Sequence, residues 1–244
     1  MAKRVLQTVT LNDIRLNAGR ALERGKCCMV LGEPGTGKTT ALRHICKANE
    51  RLAFVTIDMA AKRLVPGLRA LAGAVRVYNL SKTSYELYGA LCDSIEMGRF
   101  SERFDGIVVD EFQNAALDLK RTYLELNDKY RVPLIFAANR TVLKHTRSEV
   151  AAFDQIADRI SYWLELSGPT RGDIIEFCRE YDVDEAAHDW LCNLALPSLR
   201  DVDELLEFAR EIYPQGKLTG RQLRHALADM PKHEFKSRNT RKDP

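Results

Sequence analysis

Short apolar runs recur along the first part of the chain, and most are followed at once by a polar residue. The runs lie at 27–31, 52–57, 106–109, 133–138 and 162–166. They are nearly continuous in apolar residues, as expected of parallel strands that are covered on both faces. The pattern therefore predicts a buried parallel sheet.

Helical periodicity fills most of the gaps between these runs, at 10–25, 40–47, 85–97, 117–130 and 149–160. Strands that alternate with helices indicate a three-layer α/β fold with right-handed crossovers. In such sheets ligands bind at the carboxyl ends of the strands, where this chain has its clustered polar residues.

After Pro169 the strand pattern stops, and four helices are predicted at 170–181, 184–195, 198–212 and 219–229. Asp184, Ser198 and Thr219, with Gln222 after it, have the residue types and spacing of helix N-caps. We therefore expect a nucleotide-binding α/β domain over 1–168, a small helical lid domain over 169–230 and a basic, disordered tail over 231–244.

Composition excludes few classes of protein. The chain has 244 residues, 45% of them hydrophobic, with no run of the roughly 20 apolar residues that span a bilayer and no secretory signal near Met1. Its six cysteines have neither a C-x-x-C pair nor a histidine at metal spacing, which favours free thiols in a reducing cytoplasm. The net charge of +3 equals the surplus of five Lys or Arg over two acids in 232–244, so the tail is either a contact for a polyanion or a solvated terminus.

The strongest motif follows the first apolar run. Its residues are Gly32, Glu33, Pro34, Gly35, Thr36, Gly37, Lys38 and Thr39, which read G-x-x-x-x-G-K-T. This is a phosphate-binding loop, whose glycines let successive N–H groups surround phosphate oxygens. Lys38 is expected to reach the outer phosphates and the Thr39 hydroxyl to bind Mg²⁺, while Thr40 continues the helix whose N-terminus faces the anion. The sequence thus predicts ATP or another nucleoside triphosphate, with Mg²⁺, as ligands.

A second motif, Asp110-Glu111, ends the third apolar run. Asp110 is expected to hold Mg²⁺, and Glu111 to orient and deprotonate an attacking water. A glutamate at this place predicts a hydrolase rather than a passive nucleotide-binding module.

Three further residues are candidates for the same chemistry. Asn139, at the end of the next strand, could hold the attacking water or touch the terminal phosphate. Arg159 ends the helix before the last strand and is the predicted arginine finger, which would act across a subunit boundary. Arg147 and Arg140 are alternatives. Arg200 begins a helix of the second domain, from which a cation could report the state of the nucleotide.

The order of these elements resembles that of AAA+ ATPases over residues 10–230. The stretches 110–114, 119–124 and 132–139, with 153–160, are also similar to transposon target-capture ATPases of the phage Mu B type. This resemblance implies ATP binding, ATP-dependent rings or filaments on duplex DNA, and recruitment or stimulation of a transposase. The sequence departs from the Mu protein itself by starting directly at the ATPase domain, and without an N-terminal helix-turn-helix module we do not expect docking guided by a target sequence.

The loop after the second strand carries Lys62 and Arg63, and Arg69 and Lys82 lie further along the same insert. Cations of this kind contact phosphates without reading sequence. The expected function is therefore a cytoplasmic, DNA-associated ATPase that regulates transposition. Two alternatives stay open: an adaptor ATPase that loads a helicase, and a nucleotide-stabilised scaffold with little hydrolysis.

Overall fold

The computed structural model describes residues 5–78, 83–139, 156–194 and 196–230. The chain divides into two compact units, of which the first ends at Gly168 and the second begins at Pro169. The sheet belongs to the first unit, and the described part of the second unit consists mainly of helices.

Five parallel strands form the sheet, in the order β2-β3-β4-β1-β5. The strands are β1 (Cys27–Gly32), β2 (Leu52–Thr56), β3 (Gly106–Asp110), β4 (Leu134–Ala138) and β5 (Tyr162–Leu166). The predicted α/β fold class is confirmed, because every strand lies where an apolar run predicted one.

The apolar runs are continuous because the sheet is covered on both faces. Along β1, Cys27, Met29 and Leu31 pack into one hydrophobic cluster, whereas Cys28 and Val30 pack into another. Successive side chains of a strand point to opposite faces, so a strand between two cores has no polar face.

The helices of the first unit form the two outer layers. They are α1 (Val9–Arg24), α2 (Lys38–Ala48), α3 (Leu64–Ala74), α4 (Ser84–Glu96), α5 (Arg99–Arg103) and α6 (Leu117–Tyr130). Helices α1 and α2 pack on one face of the sheet, and α3 to α6 pack on the other. A short 3-10 turn, Phe112–Asn114, connects β3 towards α6.

Helix α3 was not predicted from the sequence. Pro66 and Gly67 in its first turns and Gly73 near its end lower the helix propensity of this stretch and obscure the periodicity of Leu68 and Leu71. Proline is tolerated in a first helical turn, where its missing N–H has no partner in any case. Tertiary packing of Leu68 and Leu71, which are almost fully buried, decides the conformation.

In the second unit the helices are α7 (Arg171–Glu180), α8 (Glu185–Asn193), α9 (Leu199–Ile212) and α10 (Gly220–Asp229). The predicted N-caps are confirmed: Asp184, Ser198 and Thr219 each accept a backbone N–H of the following turn. Thr170 and Asp173 form a further capping box at the start of α7. Side chains of α9 are buried against α7 and α10, which gives this unit its own core.

Some predictions fall outside the described residues. Of the helix predicted at 149–160, only 156 and 157 are described as helical. The basic tail at 231–244 is also outside them. Within the part of the chain that the structure describes, no helix has both the length and the apolar character needed to cross a bilayer. All six cysteines are free thiols, and burial raises the pKa of Cys27 and of Cys28 to about 12.

Two glycines of α3 provide a matched test of the packing between α3 and α6. A Cβ atom on Gly67 would lie 2.2 Å from Leu119 Cδ2 and 2.8 Å from the carbonyl oxygen of Ala61, whereas one on Gly73 would have no neighbour within 4 Å. We expect Gly67→Ala to lower the free energy of unfolding by about 1–3 kcal/mol through overpacking. Gly73→Ala should leave it unchanged or raise it by up to about 1 kcal/mol. Urea unfolding measures both, and equal effects of the two substitutions would contradict this packing.

Candidate active site

The loop between β1 and α2 has the backbone that its glycines predicted. Gly35 has φ 82° and Gly37 has φ 89°, in the left-handed region that favours glycine. A Cβ atom on Gly32 would lie 2.8 Å from Thr36 Oγ1 and 3.0 Å from Leu166 Cβ, so no larger residue fits there unchanged. The loop therefore turns tightly enough to form a concavity at the N-terminus of α2.

Lys38 lies across this concavity and is only 8% exposed. Its Nζ donates to the carbonyl oxygens of Gly32, at 2.7 Å, and Glu33, at 3.0 Å, with Thr36 Oγ1 at 3.4 Å. Thr36 in turn donates to the carbonyl oxygen of Glu33 at 2.8 Å. The ammonium group is thus held where it can meet an anion that enters the loop.

Burial lowers the pKa of the Lys38 ammonium below its ordinary value, because desolvation disfavours the charged form. The carboxylates of Glu111, Asp110 and Glu33 act in the opposite direction. The loop after β1 and the Asp110-Glu111 pair at the end of β3 therefore lie close enough for their charges to interact.

Asp110 is the last residue of β3 and is 2% exposed. Its Oδ1 accepts the N–H of Glu111 at 3.0 Å. A buried carboxylate requires compensation by hydrogen bonds or cations. Its position at the edge that carries the phosphate loop is suited to a divalent cation, together with the Thr39 hydroxyl in the first turn of α2.

Glu111 has φ 57°, so the chain bends sharply directly after β3. Its Oε2 accepts a hydrogen bond from Gln113 Nε2. Gln113 Oε1 accepts the backbone N–H of Asn139 at 3.1 Å. The end of β3 is thereby joined to the end of β4 by one amide side chain.

Gln113 was not predicted as a site residue. Within the stretch 110–114 nothing in the sequence distinguishes it, because an amide in a turn is common and carries no signal by itself. The structure brings together Lys38, Asp110, Glu111 and Asn139 at one edge of the sheet, as predicted, and it adds Gln113 to them.

Arg159 lies at the opposite edge. It precedes β5, and its Nη1 forms an ion pair with Asp128 Oδ2 at 2.9 Å, near the C-terminus of α6. About half of each of these side chains is exposed. Arg159 is therefore about a strand length, roughly 17 Å, from the phosphate loop of its own chain. The alternatives Arg140 and Arg147 lie outside the described residues.

The remaining predicted residues are distributed as follows. Arg200 is exposed in the first turn of α9, within the second unit. Arg63 is exposed at the N-cap of α3, Lys62 is half-buried before it, and Arg69 is exposed on α3 itself. Lys82 is outside the described residues.

The loop that carries Lys62 and Arg63 has a defined shape. Asp58 Oδ1 accepts the N–H groups of Ala60 and Ala61, both at 2.8 Å. The carbonyl oxygen of Lys62 accepts the N–H of Ala116 at 2.8 Å. Because the loop follows β2, it lies at the same edge of the sheet as the phosphate loop.

Among the described residues there is no group of three or more His, Cys, Asp or Glu side chains that could form a metal centre of their own.

A phosphate-binding loop beside a buried aspartate at a strand end, followed by a half-buried glutamate, on a parallel sheet, is typical of nucleotide-binding proteins of the α/β class. A family model described as an AAA domain matches residues 21–145, which is more than half of the chain. The chain belongs to this AAA domain family.

Solved structures share the fold at low sequence identity. The ORC2 protein of Aeropyrum pernix, in ADPNP–ADP complexes, has a TM-score of 0.62 at 16% identity over 94% of this chain and 70% of that one. Cdc6p of Pyrobaculum aerophilum has 0.63 at 14% identity, over 93% and 68%. ORC1 of Aeropyrum pernix, in complex with DNA, has 0.61 at 18% identity, over 91% and 65%. These similarities establish the AAA+ fold alone. A search of curated proteins gave no match.

The hydrogen bond from the Thr36 hydroxyl to the Glu33 carbonyl oxygen can be removed by a substitution that preserves the shape of the side chain. Thr36→Val removes the hydroxyl and should loosen the loop, which weakens binding of a fluorescent ATP analogue by about three- to tenfold. Thr36→Ser retains the hydroxyl and should bind within about twofold of the unchanged protein. Equal affinity of the valine variant and the unchanged protein would show that this bond does not shape the site.

Proposed function

We propose that the protein is an ATPase that binds duplex DNA without sequence preference, assembles on it with ATP and regulates DNA transposition. The observation that carries the ATPase part is the buried Asp110, followed by Glu111, at the sheet edge that also holds the phosphate loop. AAA domain membership supports the same conclusion.

ATP binding is assigned to the loop. Its N–H groups and Lys38 bind the phosphate oxygens, and the residues that contact the nucleotide are Gly32, Glu33, Pro34, Gly35, Thr36, Gly37, Lys38, Thr39 and Thr40. Thr39 and Asp110 would hold Mg²⁺, the carboxylate through water. When bound, Mg²⁺ neutralises part of the phosphate charge.

Hydrolysis is assigned to the neighbouring strand ends. Glu111 accepts the proton of the attacking water, and Asn139 orients that water or the terminal phosphate. Both residues are half-buried, so they can meet solvent from one side. Their separation along the sheet is fixed by the pairing of β3 with β4.

Arg159 is assigned as the arginine finger of a neighbouring copy. It lies at the edge away from its own phosphate loop, so its guanidinium cannot stabilise charge on its own nucleotide. A head-to-tail assembly would bring it to the loop of the next chain. There it would exchange its exposed ion pair with Asp128 for the phosphate, a small loss because such surface pairs contribute little.

Arg200, in the helical domain, is assigned to the nucleotide of its own chain. Its exposed place in the first turn of α9 leaves the guanidinium accessible. In this proposal residues 1–168 form the nucleotide-binding domain and 169–230 the lid.

DNA binding is assigned to Lys62 and Arg63, with Arg69 and Lys82 and the tail at 231–244 as further contacts. The first two lie in a loop that hydrogen bonds hold in shape, at the edge that would face the inside of a ring or filament. Among the structural neighbours, ORC1 was solved in complex with DNA.

The transposition part depends on the similarity of 110–114, 119–124, 132–139 and 153–160 to target-capture ATPases. The helicase-loading alternative shares the same ATP site, and the fold does not discriminate between them. Affinity capture separates the two: a transposase bound in the presence of ATP and DNA supports this proposal, and a replicative helicase bound in its place contradicts it.

Duplex binding and ATP turnover test the proposal together. We expect phosphate release to rise when duplex DNA is added, and log affinity to fall linearly with log salt concentration. Lys62→Ala/Arg63→Ala should weaken duplex binding and make that slope shallower by about two for each subunit. Salt-dependent fluorescence anisotropy measures the slope.

The matched control is Arg99→Ala/Arg103→Ala, which removes the same charge from exposed positions on α5, at the opposite edge. This control should bind DNA as the unchanged protein does. Equal loss in both double variants would contradict the assignment of the loop. Absence of turnover, with and without DNA, would favour the scaffold alternative.

A further inference from the structure

Residues Glu111–Ala116, here called the bridge segment, form hydrogen bonds with the ends of the two strands that flank β3. Towards β2, Asn114 Nδ2 donates to the carbonyl oxygen of Ile57 at 2.9 Å. Towards β4, Gln113 accepts the N–H of Asn139. The segment therefore spans the carboxyl edge of the sheet at the place where hydrolysis is proposed.

An aromatic cluster below the bridge segment keeps it in place. Phe112 is 1% exposed and stacks on Phe136 of β4, with 4.1 Å between ring centroids. Tyr123 of α6 packs edge-on against both rings, at 6.3 Å from each. Lys120 Nζ lies 5.8 Å from the Phe112 ring centroid and donates to the Gln113 carbonyl oxygen at 3.4 Å. The backbone of Gln113 is thus held in a fixed position.

The orientation of the Gln113 amide is set by its two partners. Its NH₂ group faces the Glu111 carboxylate, which can only accept when ionised, and its oxygen faces the Asn139 N–H, which can only donate. The reversed amide would place oxygen against carboxylate and NH₂ against N–H. Only one orientation satisfies both groups.

From this arrangement we propose that Gln113 is a positioning residue for hydrolysis. It holds the Glu111 carboxylate at a fixed place relative to Asn139, so that the groups that take the proton and orient the water stay in register. The inference rests on the proposed ATPase function. Gln113 contacts neither nucleotide nor water in this account and acts only through Glu111.

Loss of a positioning residue slows the chemical step more than it weakens the binding of ATP. A misplacement of about 1 Å in a catalytic group can slow a reaction roughly a hundredfold. We therefore expect Gln113→Ala to lower kcat about 10- to 100-fold while the affinity for ATP changes by no more than about twofold. Single-turnover hydrolysis of ATP by the full chain on duplex DNA measures the step, and titration with a fluorescent ATP analogue measures the affinity.

Gln113→Glu separates positioning from a merely structural role. It preserves the size of the side chain and the oxygen that accepts from Asn139, but it replaces the donor to Glu111 with a repelling charge. We expect its kcat to fall at least as far as that of Gln113→Ala. If the residue only filled space or braced β4, Gln113→Glu would be nearer to the unchanged protein than Gln113→Ala is.

Asn114→Ala is the matched control, because it removes a neighbouring amide that ties the segment to β2 without touching Glu111 or Asn139. It should lower kcat far less than Gln113→Ala does, because Phe112 and its aromatic neighbours still hold the segment. The positioning role is overturned if Gln113→Ala hydrolyses ATP at the normal or a higher rate, or if Asn114→Ala loses as much.

A benchmark variant separates this inference from the function on which it rests. Glu111→Gln should bind ATP and lose turnover by about a hundredfold or more. If Glu111→Gln is inactive and the Gln113 variants are normal, the positioning role is wrong and the proposed ATPase stands. If Glu111→Gln hydrolyses ATP normally, the proposed hydrolytic role of Glu111 is wrong as well.

Discussion

All five strands of the sheet run in one direction, and this constraint decides where every polar group of the site can lie. Parallel pairing places all carboxyl ends at one edge and all amino ends at the other. The phosphate loop after β1, the Asp110-Glu111 pair at the end of β3 and Asn139 after β4 therefore lie at the same edge, where Gln113 links Glu111 to Asn139. Two hydrophobic clusters keep the strands paired. The position of the site residues thus depends on a core to which none of them belongs.

The same constraint separates Arg159 from the groups it would serve. It precedes β5 and so lies at the amino edge, while Lys38 and Glu111 lie at the carboxyl edge. A single chain thus carries a complete phosphate-binding loop and a proposed hydrolytic pair. Its proposed arginine finger lies at the opposite edge of the sheet. In this account ATP hydrolysis is a property of two neighbouring copies, and binding to DNA favours hydrolysis by bringing copies together.

Much of this could be predicted from the sequence, because the informative features are local. Continuous apolar runs predicted the strands, and the G-x-x-x-x-G-K-T spacing predicted a tightly bent phosphate-binding loop. Helix α3 was not predicted. Pro66 and Gly67 lower the intrinsic helix propensity of this stretch, and packing against α6 overrides that low propensity. The role proposed for Gln113 could not have been found in this way, since its partners Glu111 and Asn139 come from different strands and only the folded sheet brings them to one amide.

Complementation between two inactive variants tests the claim that the site is completed by a second copy. Glu111→Gln keeps Arg159 but lacks the base, and Arg159→Ala keeps the base but lacks the finger. We predict that each alone turns over little ATP on duplex DNA, and that an equal mixture regains turnover at up to about a quarter of its interfaces, the share in which an intact site meets an intact Arg159 in a head-to-tail assembly. If Arg159→Ala hydrolyses ATP at the normal rate, or if the mixture is no more active than its two components, the account of a shared site is contradicted.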